Sequence, residues 1–264
     1  MNPAMNTAMS TALFFDINTW LLGATLGFAR LAPVFFMLPF FNTSVLSGAT
    51  RSAVIMIVAM GFWSAPMGAM AVVETWTYVA AITQELFIGV ILGCLLAWPF
   101  WVFHAVGNFI DNQRGATLSS TIDPANGVDT SEMSNFFNMF AAAVYLQGGG
   151  LMLFVQAVSD SYRLCDPLQG CRFSGVPLLS LLTDMATRMI VVASPVIAVM
   201  LLSEFTLGLL SRFAPQLNAF SVSLTVKSMV AVLVLLMYFG PFFPDEIMRL
   251  GGMAQQLPLW FVER

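Results

Sequence analysis

Charge is what this sequence has least of. Only 9% of its residues are Asp, Glu, Lys or Arg, against roughly 25% in a soluble domain. So few polar groups cannot cover the surface of a chain of 264 residues, so most of that surface must meet lipid or other apolar protein. Basic residues are the scarcer sign: ten Lys and Arg against fourteen Asp and Glu give a net charge of −4 and a pI near 4.8. That balance argues against nucleic acid as a partner, for which a basic patch is the footprint. It argues equally against a polybasic grip on anionic lipid. There is one histidine, His104, so a His-based triad has one candidate base and no nucleophile elbow. Beside Trp101 and Phe103, His104 is more simply an interfacial residue at a helix end. No Walker loop, H-E-x-x-H or dinucleotide fingerprint occurs. The three cysteines make no C-x-x-C pair. Neither a metal, a cofactor nor catalysis is therefore expected. Cys94 lies in an apolar run as a small hydrophobe. Cys165 and Cys171 share the polar loop RLCDPLQGCRF. They are either a disulfide in an oxidising compartment or two free thiols.

What is there is oil: 58% of residues are hydrophobic and the mean hydropathy is +0.83. Uncharged runs cover 52–73, 86–103, 133–159, 189–203 and 228–244, and 17–41 is broken only by Arg30. A bilayer crossing takes about 20 apolar residues. The pattern predicts an all-α integral membrane protein, one domain over 1–264, with roughly six long hydrophobic helices that are not all simple spans. Pro33 and Pro39 should bend or end the first helix, while Pro66 and Pro99 lie within later apolar segments. Three glycines in a row, Gly148 to Gly150, predict a break or sharp bend. Residues 1–16 carry no basic stretch ahead of their apolar part, so no cleavable signal peptide is expected. Loop charge gives no clear orientation. With the N-terminus outside, Arg51, Arg114, Arg212 and Lys227 fall inside. Arg163, Arg172, Arg188, Arg249 and Arg264 fall outside.

Charges within apolar runs are expensive and point to function by default. The candidates are Arg30, Glu85, Glu204 and Arg212. One could be the buried carboxylate of a proton-coupled carrier. The simpler reading places them at helix ends, or paired with one another or with a partner subunit. Glu204 and Arg212 are two helical turns apart on one face. Lys227, the only lysine, reads as a helix-end cation. The 18 methionines are mostly packing filler, although a seal around passing chains would also use them.

The oil is interrupted by one polar island, DNQRGATLSSTIDPANGVDTSE, at 111–132. Its glycines and serines make it soft, and its Asp and Asn side chains can bond local backbone. A second special loop, SRFAPQLNAFSVSLTVKS, follows at 211–228. Together the two stretches resemble the SctT family of type III secretion export-apparatus proteins, also called SpaR or YscT, with FliR as the flagellar relative. Ile110, Asp111, Gln113, Gly115, Asp123 and Pro124 match its Ile-Asp-x-Gln-x-Gly … Asp-Pro pattern. Ala214, Pro215, Gln216, Asn218 and Phe220 match Ala-Pro-Gln-x-Asn-x-Phe, with Ser223, Leu224 and Lys227 after them. The Arg-Phe-Ala-Pro-Gln form is closer to the injectisome branch than to the flagellar one.

The resemblance covers nearly the whole chain and implies a channel component built of helical hairpins with bent and broken helices. That component is part of a helical multi-subunit export gate in the bacterial inner membrane, within the secretion basal body. Its implied partners are SctR-like and SctS-like subunits, with SctU- and SctV-like proteins, membrane lipid and the exported chains. The loop 111–132, with Asp111, Gln113, Arg114, Gly115, Asp123, Pro124 and Asp129, would plug the closed lumen. Residues 1–188 would be SctR-like and 189–264 an SctS-like hairpin. The hairpin's cytoplasmic loop, 211–227, would carry Arg212, Pro215, Gln216, Asn218, Phe220 and Lys227. The Cys165 to Cys171 loop is not part of the family pattern. The alternative function is a small-solute secondary transporter, which internal repeats would favour; none is visible.

Overall fold

A helix can be apolar on every side only if lipid or protein covers it all round. That is the character of most helices in the computed structural model. The model describes the chain except for residues 1–2, 42–45, 63–74, 116–130, 168–171, 174–175, 215–218 and 263–264. The helices are α1 (Pro3–Met37), α2 (Gly48–Phe62), α3 (Thr75–Arg114), α4 (Glu132–Gln147), α5 (Gly150–Leu164), α6 (Val176–Phe213), α7 (Ala219–Phe239) and α8 (Phe243–Gly251). A 3-10 segment, Gly252–Trp260, follows. Two-residue strands β1 (Arg172–Phe173) and β2 (Phe261–Val262) pair antiparallel. The protein is all-α. Four described helices are long and apolar enough to cross a membrane, and five if α4 and α5 count as one broken span. We read a multi-pass membrane protein. Not every apolar helix is long enough for a simple span, as expected: α2 has only 15 residues.

The expected break is present. α4 is capped at Gly148, whose N–H donates to the Val144 carbonyl. Gly149 takes φ 86°, a left-handed conformation that suits glycine alone at little cost. The chain bends by 80° there. Pro33, expected to bend or end its helix, sits inside the continuous 35-residue α1, as Pro99 and Pro195 sit inside helices of 40 and 38 residues. At 1.5 Å per residue α3 is about 60 Å long, twice the roughly 30 Å of a hydrocarbon core.

The residues group into two compact units. The first contains Met1–Ala97, Met152–Ser174 and Met253–Arg264. In it, α2 returns antiparallel to α1: a Cβ at Gly27 would touch Ala59, while Arg51 lies over the Phe36 ring. α3 runs parallel to α1, because Tyr78 donates to the Leu22 carbonyl and Gly93 faces Val34 and Met37. Between those points the backbones nearly touch. A Cβ on Gly89 would land on the Arg30 carbonyl. Beside that contact sits the ion pair that the sequence left undecided. Arg30 and Glu85 are both fully buried, and Arg30 Nε lies 2.5 Å from Glu85 Oε2. Arg30 also donates to Glu85 Oε1 at 2.7 Å, the Cys165 carbonyl at 2.9 Å and Ser161 Oγ at 3.3 Å. The Tyr162 ring covers its guanidinium at 4.0 Å.

The second unit contains Trp98–Leu151 and Gly175–Gly252. α8 is its most amphipathic helix: Phe243, Ile247 and Leu250 are buried against α4 while Asp245 and Arg249 stay exposed. Pro244, Asp245 and Glu246 in the first turn and Arg249 in the last suit the helix ends. α6 and α7 pack on each other, yet only 28% and 17% of their apolar windows are buried. Their outer faces carry Phe205, Phe213, Leu236 and Met237, each at least 65% exposed. The sequence boundary between 188 and 189 falls inside α6.

Candidate functional site

The polar island is narrower than its composition indicates. Asp111, Gln113 and Arg114 are the last turn of α3, not loop, and Glu132 already belongs to α4. The helix continues through these charges because partners satisfy them. Asp111 is 1% exposed, and its Oδ1 pairs with Arg114 Nε at 2.7 Å. Its Oδ2 accepts from Ser131 Oγ at 2.6 Å and from the Met133 N–H at 3.1 Å. Ser131 is the N-cap of α4 and accepts in turn from Ser134 N and Ser134 Oγ. A carboxylate at a helix N-terminus is favoured by the orphan N–H groups there. Gly115 ends α3 at φ 79° and donates to the Asn112 carbonyl. Gly107 lets the helices close: a Cβ there would sit 2.6 Å from the Ser134 backbone.

One buried carboxylate thus ties the two ends of segment 116–130 together, forming a neck. Asp123, Pro124 and Asp129 lie outside the described residues. A cavity of about 440 Å³ lies beside the neck. Arg114 and Glu132 stand at it, and Phe136, Phe137, Leu236 and Phe239 line it. Ser131, Ser134 and Gly107 were not singled out from sequence. A serine ahead of an apolar helical run was the available signal for the cap.

The second loop is also shorter than expected. Arg212 lies in the last turn of α6, and Phe220 and Lys227 lie within α7, so none of the three is in a loop. Pro215, Gln216 and Asn218 lie outside the described residues. Lys227 is not a helix-end cation. It is buried two turns into α7 and pairs with Glu204 of α6 at 2.7 Å. Glu204 therefore faces Lys227 rather than the exposed Arg212. Elsewhere in this unit Arg188 joins α6 to α8 through Glu246 at 3.1 Å.

His104 is exposed, and no group of metal-ligating side chains forms among the described residues. Cys94 is free. Cys165 is buried and disulfide-bonded, while Cys171 lies outside the described residues. We expect a Cys165–Cys171 bridge in the native protein. Mass spectrometry without reductant should find the linked peptide; two alkylated thiols in protein taken from its native membrane would refute it.

Comparisons with known proteins show the family. A family model described as "Bacterial export proteins, family 1" matches residues 21–250. The chain is 56% identical over 256 residues to the surface presentation of antigens protein SpaR of Salmonella typhimurium, covering 97% of each chain. It is 27% identical over 224 residues to the Yop proteins translocation protein T of Yersinia pestis, covering 83% of this chain and 86% of that one. It is 25% identical over 187 residues to the flagellar biosynthetic protein FliR of Escherichia coli, covering 67% and 71%.

Proposed function

As this chain belongs to family 1 of the bacterial export proteins, we propose that it is an export-gate subunit of a bacterial type III secretion system. It forms part of the pore through which unfolded proteins leave across the inner membrane. The carrying observation is the agreement of the family match over 21–250 with the neck at Asp111. An apolar chain that closes one polar, acidic segment with a buried carboxylate network at Asp111 is built to present that segment to water. The segment acts as a plug in the lumen, and the neck is the ring from which it hangs. The chain carries no catalysis of its own.

The outer faces of α6 and α7 need cover, and adjacent gate subunits provide it. SctR-like and SctS-like neighbours are the partners, with SctU- and SctV-like proteins at the cytoplasmic side. The α6–α7 hairpin is the SctS-like element. The experiment is to delete the gene, restore it with a tagged copy, and follow secretion and co-purification in mild detergent. Secretion should depend on the chain, and two small helical membrane proteins should come with it in fixed ratio. Normal secretion without it, or coupled solute uptake by the purified chain in vesicles, would refute the reading and favour a transporter.

Lys227 provides a residue-level test of the hairpin. Its pair with a half-exposed Glu204 contributes little to stability, about 1 kcal/mol or less. Lys227→Ala should therefore leave the complex assembled but reduce secretion, with Lys227→Arg retaining part of it. Exchanging the charges, Lys227→Glu with Glu204→Lys, should restore what either alone loses. Normal secretion by Lys227→Ala would show that the cation is only an anchor.

A further inference from the structure

Segment 253–262 has no role in anything described so far. Ala254, Leu257 and Trp260 in its 3-10 part are buried, and Phe261 of β2 is 9% exposed. Among the described residues its strand partner is β1: Arg172 pairs with Val262 and Phe173 with Phe261. The Phe173 ring meets Trp260 at 5.9 Å and Phe87 of α3 at 4.9 Å. All of these residues belong to the first unit. Two residue pairs are a weak hold, since even a whole two-stranded hairpin is marginal in water. The segment therefore stays docked only if β1 is itself held in place.

The chain that leads into β1 supplies the hold. Cys165 follows α5 directly, and its N–H donates to the Ser161 carbonyl. Its own carbonyl accepts from the buried Arg30 at 2.9 Å, which fixes it to α1. Its sulfur is disulfide-bonded. Cys94 is free, so of the three cysteines Cys171 is left as the partner. Cys171 is the residue before β1. A bridge holds the two Cα atoms within about 7 Å of each other. It carries the fixed point at the end of α5 across to the start of β1. Closing a loop as short as 165–171 favours the held arrangement on the order of fiftyfold.

We propose that the Cys165–Cys171 bridge is a redox latch for segment 253–262, which docks on β1 when the bridge is closed and is released when it opens. Closing is thiol–disulfide exchange with the disulfide form of a dithiol oxidoreductase. One cysteine thiolate attacks a sulfur of that disulfide and forms a mixed disulfide. The second thiolate then displaces the oxidoreductase sulfur. The chain gives up two thiol protons and two electrons, and the oxidoreductase leaves as its dithiol. The segment thus closes only after the loop has reached an oxidising compartment. Docking and bridging favour each other by the same factor. The latch does not require the export-gate reading to hold.

Hydrogen–deuterium exchange on the intact complex, purified with its co-expressed partners in mild detergent, reads the latch. Peptides covering 253–262 should exchange at least tenfold faster after dithiothreitol has opened the bridge. In C171S they should exchange at the fast rate with or without reductant. Peptides of α1 around Arg30 should not change. Unaltered exchange in 253–262, with the bridge shown open by thiol alkylation, overturns the proposal. So does an equal rise in α1, which would make the bridge a general staple rather than a latch. Should C171S not assemble, W260A decides, because it weakens docking and keeps both cysteines. The ratio of reduced to oxidised dithiothreitol that opens half of the bridges should fall at least fivefold in W260A. A fall supports the coupling, and an unchanged ratio overturns it.

Discussion

Glu85→Ala should cost the protein about 3–5 kcal/mol, the range for breaking a buried ion pair from one side. That is a large part of the roughly 5–15 kcal/mol that holds a typical domain folded. The cost comes less from the lost attraction than from what remains. Arg30 is fully buried with Glu85 as its only carboxylate partner among the described residues. Ser161 and the Cys165 carbonyl would be left to satisfy a guanidinium alone. Glu85→Gln keeps an acceptor of the same shape and should cost less. Arg30→Met with Glu85→Leu, which removes both charges, should recover much of the loss, because apolar replacement of a buried pair is often neutral. Thermal unfolding followed by fluorescence size-exclusion in detergent gives the double-mutant cycle. Additive single effects, or an unaltered Glu85→Ala, would show that the pair does not hold α1 to α3.

The neck gives the second large effect. Asp111→Ala removes an ion pair and two charge-assisted hydrogen bonds. Such bonds contribute roughly 1.5–3 kcal/mol each. A loss of even about 3 kcal/mol in the closed state shifts the closed-to-open ratio about a hundredfold. Complexes carrying Asp111→Ala should therefore leak ions or small solutes while still assembling. Ser131→Ala should leak less, since it removes one donor and a cap of about 1 kcal/mol. Asp111→Asn should fall between. Bilayer conductance of purified complexes reads the order. Wild-type conductance in an assembled Asp111→Ala complex would remove the neck from the gating account.

The sequence carried the class of the fold, the Gly148 to Gly150 break and both family motifs. Each rests on local composition, which the chain states openly. What stayed hidden depends on partners far along the chain. Asp111 and Arg114 read as loop because they are charged, yet Ser131 and Met133, some twenty residues on, let α3 carry them as helix. Lys227 read as a helix end because a lone cation in an apolar run normally snorkels to one. Glu204 on α6 instead meets it two turns inside α7. Arg30 and Glu85 were visible as costly charges, but nothing in the sequence said that each was the other's partner across 55 positions. The same holds for Gly89 and Gly107, ordinary glycines in the sequence that mark close backbone approaches in space.

The burial of Lys227 has a practical side for mapping the assembled machine. Reagents that target side-chain amines have one address on this chain, and it is ion-paired and 8% exposed. A lysine-directed cross-linking map of the complex should leave this subunit blank, however many neighbours it touches. That blank makes residue 227 a clean reporter. A cross-link or acyl mark appearing there only during active secretion would record the hairpin parting, against a background with no other side-chain amine on the chain to compete.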